Sequence, residues 1–258
     1  MRAELHAEWT KIRTTSGAAW LLLGTVVMTI ALSAAAVAAV TCPKGGCAQD
    51  ITKLSLTGVV LGQAAVAVLG VLMISGEYRT NMIHSTFTAM PRRWDVLGAK
   101  AFVLTGLVLG AGAIAVLGSL LAGSLMLPGS GFTIDNGYPP ISLTNGPTLR
   151  AATGSVLYLA LIALLGLGIA TAVREPAIAI GAVLGLLYLF PILITVATDP
   201  DWQRHLKQIA PMNAGLAVQA TVDLDSLPIA PWAGLGVLTA WATAAVIGGG
   251  LLQQLRDA

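Results

Sequence analysis

Six runs of apolar residues, at 18–40, 54–75, 101–127, 152–173, 177–198 and 232–252, constrain this chain more than any other feature. Each is long enough for a helix rising ~1.5 Å per residue to cross ~30 Å of hydrocarbon. Only 10% of the 258 residues are charged and 56% are hydrophobic, whereas a soluble domain carries roughly 25% charged residues. The expected fold is therefore all-α: one polytopic transmembrane domain over 1–258, with six membrane helices and lipid as the solvent. The first run follows Arg2, Lys11 and Arg13, and Ala36-Val37-Ala38 has the look of a cleavage site. It is, however, longer than the ~7–15 residues of a secretion-signal core, which favours a retained helix.

Six spans place 1–17, 76–100, 174–176 and 253–258 on one side and 41–53, 128–151 and 199–231 on the other. The first set holds Arg2, Lys11, Arg13, Arg79, Arg92, Arg93, Lys100, Arg174 and Arg256. The second holds Lys44, Lys53, Arg150, Arg204 and Lys207. Acidic residues divide evenly, so the bias rests on the basic residues that the positive-inside rule counts, and both termini are expected in the cytoplasm of a bacterial inner membrane. Cys42 and Cys47 then share one short external loop, where a disulfide can persist; two idle thiols are the alternative. The pairs Gly58/Gly62, Gly106/Gly110 and Gly181/Gly185 have the spacing of close helix contacts, read as packing within the bundle in preference to a dedicated dimer seam.

Several function classes are disfavoured. A formal charge of +2 with no basic-aromatic cluster does not suit nucleic acid. No Gly-x-x-x-x-Gly-Lys-Ser/Thr loop occurs, since Lys44-Gly45-Gly46 runs in the wrong order, so ATP chemistry by that route must come from another polypeptide. No Asp, Glu, Lys, Arg or His falls in the middle of a run, against an ion-coupled carrier. A lipid-modifying enzyme needs convergent His, Asp, Glu or metal ligands; only Glu77, His84, Asp95 and the group Asp199, Asp201, His205 come near that. His205 has no second ligand at helical spacing, and no metal site is expected. Gln63, Ser119 and Ser124 read as helix-to-helix hydrogen bonds.

Two segments outside the runs have helical periodicity. Leu5, Trp9 and Ile12 share a face on 1–17, suiting an interfacial amphipathic helix with Trp9 at headgroup depth. On the cytoplasmic segment 76–100, Tyr78, Met82, Ile83, Phe87 and Met90 form an apolar face that Pro91 terminates, with Arg92 and Arg93 beyond it. Such a helix can lie on lipid, on its own bundle, or in a groove of a soluble partner. In 199–231, Trp202, Leu206 and Ile209 suit an amphipathic helix ending at Pro211, and 215–222 suits a second.

Glu77-Tyr78-Arg79-Thr80, then Pro91-Arg92-Arg93 and Lys100, resemble permeases of the type-2 ABC-transporter superfamily, particularly small actinobacterial ones. Glu8, Lys11, Arg13 and Thr14 match the family's Glu-x-x-Lys-x-Arg-Thr pattern. Arg174 with Ala177-Ile178-Ala179, then Tyr188 to Pro191, resembles its fourth-to-fifth helix junction. Pro211-Met212-Asn213-Ala214-Gly215 resembles its last external loop. Asn81 and His84 depart from the pattern, where Gly and a basic residue are common.

The resemblance implies that Glu77, Tyr78, Arg79, Met82, Ile83, Phe87, Pro91, Arg92 and Arg93 dock and couple a separately encoded ATPase, present in two copies. It also implies a second permease chain, identical or not, and a pair of helices in 199–231 that dip back toward the membrane. ATP and Mg would sit on the partner, leaving this chain a transport subunit with no cofactor and no catalytic residue. The implied function is export of an amphiphilic or hydrophobic substrate such as a drug, lipid or peptide antibiotic, which Tyr188 and Phe190 in the fifth helix would suit. No substrate-binding residue is identified. The alternatives are an ATP-independent carrier or channel and a non-transporting, ATPase-binding sensor subunit.

Overall fold

The structure is a computed structural model that describes residues 16–42, 47–79, 93–196 and 199–256. Every regular element among them is helical. They are α1 (Ser16–Ala39), α2 (Ile51–Ser55), α3 (Val59–Arg79), α4 (Arg93–Met126), α5 (Gly146–Val173), α6 (Pro176–Leu184), α7 (Phe190–Val196), α8 (Pro200–Ile209), α9 (Pro211–Leu216) and α10 (Pro231–Arg256). Five described helical stretches are long and apolar enough to cross a membrane: Ala19–Ala39, Trp94–Ser130, Gly146–Val173, Pro176–Val196 and Pro231–Leu255. The apolar part of α3, Val59–Ser75, is shorter. Large apolar side chains face outward along these stretches, among them Trp20, Phe102 at 71% exposure, Leu125 at 73% and Leu193. A contiguous apolar surface of that extent is stable only against lipid, and the chain is an all-α polytopic membrane protein.

Central to the bundle is α5. Its most apolar window is 61% buried, against 22–33% for the other four candidate spans, and it packs on α3, α4, α6 and α10. Close approach depends on absent side chains. A Cβ on Gly166 would run into the carbonyl of Ala67, and one on Gly168 into the α10 backbone at Ala245 and Val246. Lipid supplies no hydrophobic force between helices, so such backbone contact contributes much of the packing energy. α1 presents Thr25, Thr29 and Ser33 on one buried face; Gly58 and Gly62 receive that face, with the Gly58 N–H donating to Ser33 Oγ at 3.0 Å. The pair thus packs inside the chain. Gly106, Gly110 and Gly181 are exposed and have no atom near their Cβ positions.

The helices depart from the apolar runs in three places. The 54–75 run is not one helix: α2 ends at Ser55, and a turn at 56–58 seats Gly58 against α1 before α3 begins. α4 starts at Arg93, upstream of the 101–127 run, because Val96, Leu97, Ala99 and Lys100 recur at helical spacing and are buried there. The 177–198 run holds a π-turn at Gly185–Leu189, closed by the Phe190 N–H on Gly185 O. Pro191 explains it: proline lacks an N–H and its ring crowds the preceding turn, so the wider turn absorbs both defects.

Candidate functional site

The described residues of three connections, 40–42 with 47–58, 127–145 and 199–230, meet at one end of the bundle. Cys42 and Cys47 are joined by a disulfide, with Cα atoms 5.8 Å apart. The Cys42 N–H donates to Ser130 O at 2.8 Å. Beneath lies a small core of Val37, Cys42, Leu127 and Phe132, with Tyr138 edge-on to Phe132 at 5.1 Å between ring centroids. Gly131, at φ 89°, turns the chain there, and any Cβ would strike Cys42 O.

Asp50 ties two connections together. Its carboxylate caps α2 through the Lys53 N–H at 3.0 Å and accepts from Thr221 Oγ1 at 2.7 Å and from the N–H groups of Thr221 and Val222. Arg150 Nη2 donates to Ala220 O at 2.6 Å, and Gln219 Nε2 donates to Ser155 Oγ at 3.0 Å. Segment 210–220 is consequently drawn into the bundle: Ala210, Pro211, Ala214, Gly215 and Val218 are buried. Gly154 and Gly234 admit it, since a Cβ at either would collide with Val218 or with the Ala214 carbonyl. The second helix here begins at Pro211 rather than Gly215, because proline suits the first turn, where its missing N–H goes unused.

Under this segment sits a polar cluster built from α3, α5, α9 and the π-turn. Tyr158 Oη, fully buried, donates to Gln63 Oε1. Gln63 Nε2 donates to Met212 Sδ at 3.3 Å, and Tyr188 Oη donates to Val60 O at 2.6 Å. Met212 also lines a cleft of about 350 Å³ above the cluster. Lys53 and Lys207 reach its wall from α2 and α8, beside Asn213, Pro191 and Leu227. This cleft, joined to the polar cluster through Met212 and lined by two cations, is the candidate site. Of the cleft residues, Pro191, Met212 and Asn213 stand in the stretches that carry the family resemblance, and Gln63 and Tyr188 of the cluster were singled out as polar or aromatic span residues. The signal for the two lysines was weak: residues 53 and 207 lie in different elements.

The remaining site residues fall as follows. Glu77, Tyr78 and Arg79 form the last turn described of α3, which continues unbroken past the apolar run. Arg93 opens α4. Leu5, Trp9, Ile12, Met82, Ile83, Phe87, Pro91 and Arg92 lie outside the described residues, as does His84. α8 carries Trp202, Leu206 and Ile209 as expected. Asp199 caps that helix through the Asp201 N–H at 2.9 Å, and His205 Nδ1 lies 2.8 Å from Asp201 O, so these groups serve the helix's own first turn.

Sequence reasoning placed Lys100 ahead of the third span and missed its burial. At 1% exposure it lies within α4, with Val96, Leu97, Val103 and Leu104 buried at the flanking helical spacings. Those spacings of three and four are the available signal, hidden because the apolar run begins only after it. A membrane helix thus does carry a buried cation, near one end rather than at its middle. Compared with models of known protein families and with curated proteins, the chain matches none.

Proposed function

We propose that this chain is the permease subunit of an ATP-driven exporter of the type-2 ABC class, moving an amphiphilic or hydrophobic substrate out of the cytoplasm or inner leaflet. The observation that carries the reading is the order of the motifs: Glu8 to Thr14, Glu77 to Thr80, Pro91 to Arg93, Arg174 to Ala179 and Pro211 to Gly215 follow one another as in that superfamily. α3, with the α2 turn before it, is the sixth span, both termini are cytoplasmic, and segment 210–220 dips back toward the membrane. Two such chains and two ATPase subunits make the working unit. Because Glu77 continues the same rigid helix that holds Gln63, a push on residues 77–93 can reach the polar cluster without passing through a loop.

Purification of the tagged chain in mild detergent from its host, followed by mass spectrometry, tests this. A stoichiometric phosphate-loop ATPase is expected, reduced about tenfold or more in Glu77→Ala and in Arg92→Glu/Arg93→Glu, with membrane insertion unchanged; a charged docking contact is commonly worth ~2 kcal/mol or more. Recovery of the chain alone, including after crosslinking in cells, would overturn the reading in favour of an ATP-independent carrier. An ATPase that assembles normally yet shows no substrate stimulation would instead mark a sensor subunit.

A further inference from the structure

The lysine-lined cleft carries an inference that does not rest on the exporter reading. Lys53 and Lys207 come from elements more than a hundred residues apart, yet line the same cleft. Among the described residues neither ammonium has a hydrogen-bond or ion-pair partner, and no acidic side chain lines the cleft. The nearest acid in sequence, Asp50, has its carboxylate taken up by Lys53 N–H, Thr221 and Val222. Two like charges in one cleft are mutually unfavourable, and an anion between them removes that cost. Asn213 also lines the cleft and adds a neutral polar side chain to it.

The rest of the wall is apolar, contributed by Pro191, Met212, Leu216 and Ile229. Next to Pro191, the side chains of Leu189, Ile192, Leu193 and Val196 are exposed on a stretch apolar enough to span a membrane. That exposed face lies opposite Pro191 on the helix, so within the cleft a ligand's chain meets the apolar surface of Pro191, Leu216 and Ile229. We propose that the cleft is a binding site for an anionic amphiphile of the phospholipid class. Its phosphate lies between Lys53 and Lys207, a headgroup hydroxyl or N–H lies by the Asn213 side chain, and its acyl chain starts on the apolar wall of Pro191, Leu216 and Ile229.

The test uses the full chain in phosphatidylcholine nanodiscs doped with phosphatidylglycerol carrying a photoreactive acyl chain, with photoreactive phosphatidylcholine as the comparison. Peptides from 186–196 and 211–230 should be labelled about fivefold or more by the anionic probe, as two cations near a membrane surface allow. Lys53→Gln/Lys207→Gln should reduce that labelling to the phosphatidylcholine level. Lys53→Arg/Lys207→Arg should retain it, as should Arg204→Gln, an exposed α8 change outside the cleft. Millimolar inorganic phosphate should not compete. Equal labelling by the two lipids, or no effect of the double Gln variant, would overturn the proposal. Displacement by inorganic phosphate would overturn it too, assigning the cleft to a free anion. If the double Gln variant does not fold, the ratio of the two probes on the unaltered chain decides alone.

Discussion

Tyr158 and Gln63 show how little a single buried polar residue says about its use until its partner is known. Each is almost inaccessible, and each is satisfied mainly by the other. Tyr158→Phe leaves Gln63 Oε1 without its donor and should lower unfolding stability in mild detergent by roughly 0.6–2 kcal/mol, the range for interhelical hydrogen bonds in membranes. Gln63→Leu removes the other half. If the pair acts as a unit, the double variant should be less destabilised than the two single effects added together, which a double-mutant cycle reads directly; strict additivity would count against a coupled pair. Lys100 teaches the same lesson with the opposite history. Its type suggested a helix flank, and its register in α4 places it inside.

At the scale of elements, glycine contacts decide which helices can meet. Gly234 and Gly236 lie two residues apart on α10 and are indistinguishable in sequence character, yet a Cβ on Gly234 would strike the Ala214 carbonyl while one on Gly236 meets nothing within 4 Å. Gly234→Ala should therefore destabilise the protein by roughly 1–3 kcal/mol through overpacking against backbone that cannot easily move. Gly236→Ala should be neutral or slightly stabilising, because alanine favours a helix. Thermal unfolding of both variants in one detergent makes the comparison, and equal behaviour would mean that segment 210–220 is not seated against α10. Helix starts, by contrast, follow a local rule, although the sequence alone pointed to Pro211 as a stop. Pro147, Pro176, Pro200, Pro211 and Pro231 each open a helix, since the first turn is the one place in a helix that needs no N–H from them.

For the whole molecule the central question is sidedness. In a Cys42→Ser/Cys47→Ser background, cysteine at Asp225 should react with an impermeant thiol reagent on intact cells, whereas cysteine at Glu175 should react only after permeabilisation. The reverse pattern would invert the topology, and labelling of both from outside would remove one span. In the unaltered chain, Cys42 and Cys47 should stay unlabelled until a reductant is added, because their sulfurs are joined. Apolar runs by themselves determined that this protein is helical and membrane-embedded, because hydrocarbon thickness sets how long a stretch of chain must be apolar. The two-step second run, the π-turn, the buried Lys100 and the cleft were decided only by tertiary structure. Each depends on which helix lies opposite, and opposing backbones are brought together by side-chain size, on faces that a single run of sequence does not reveal.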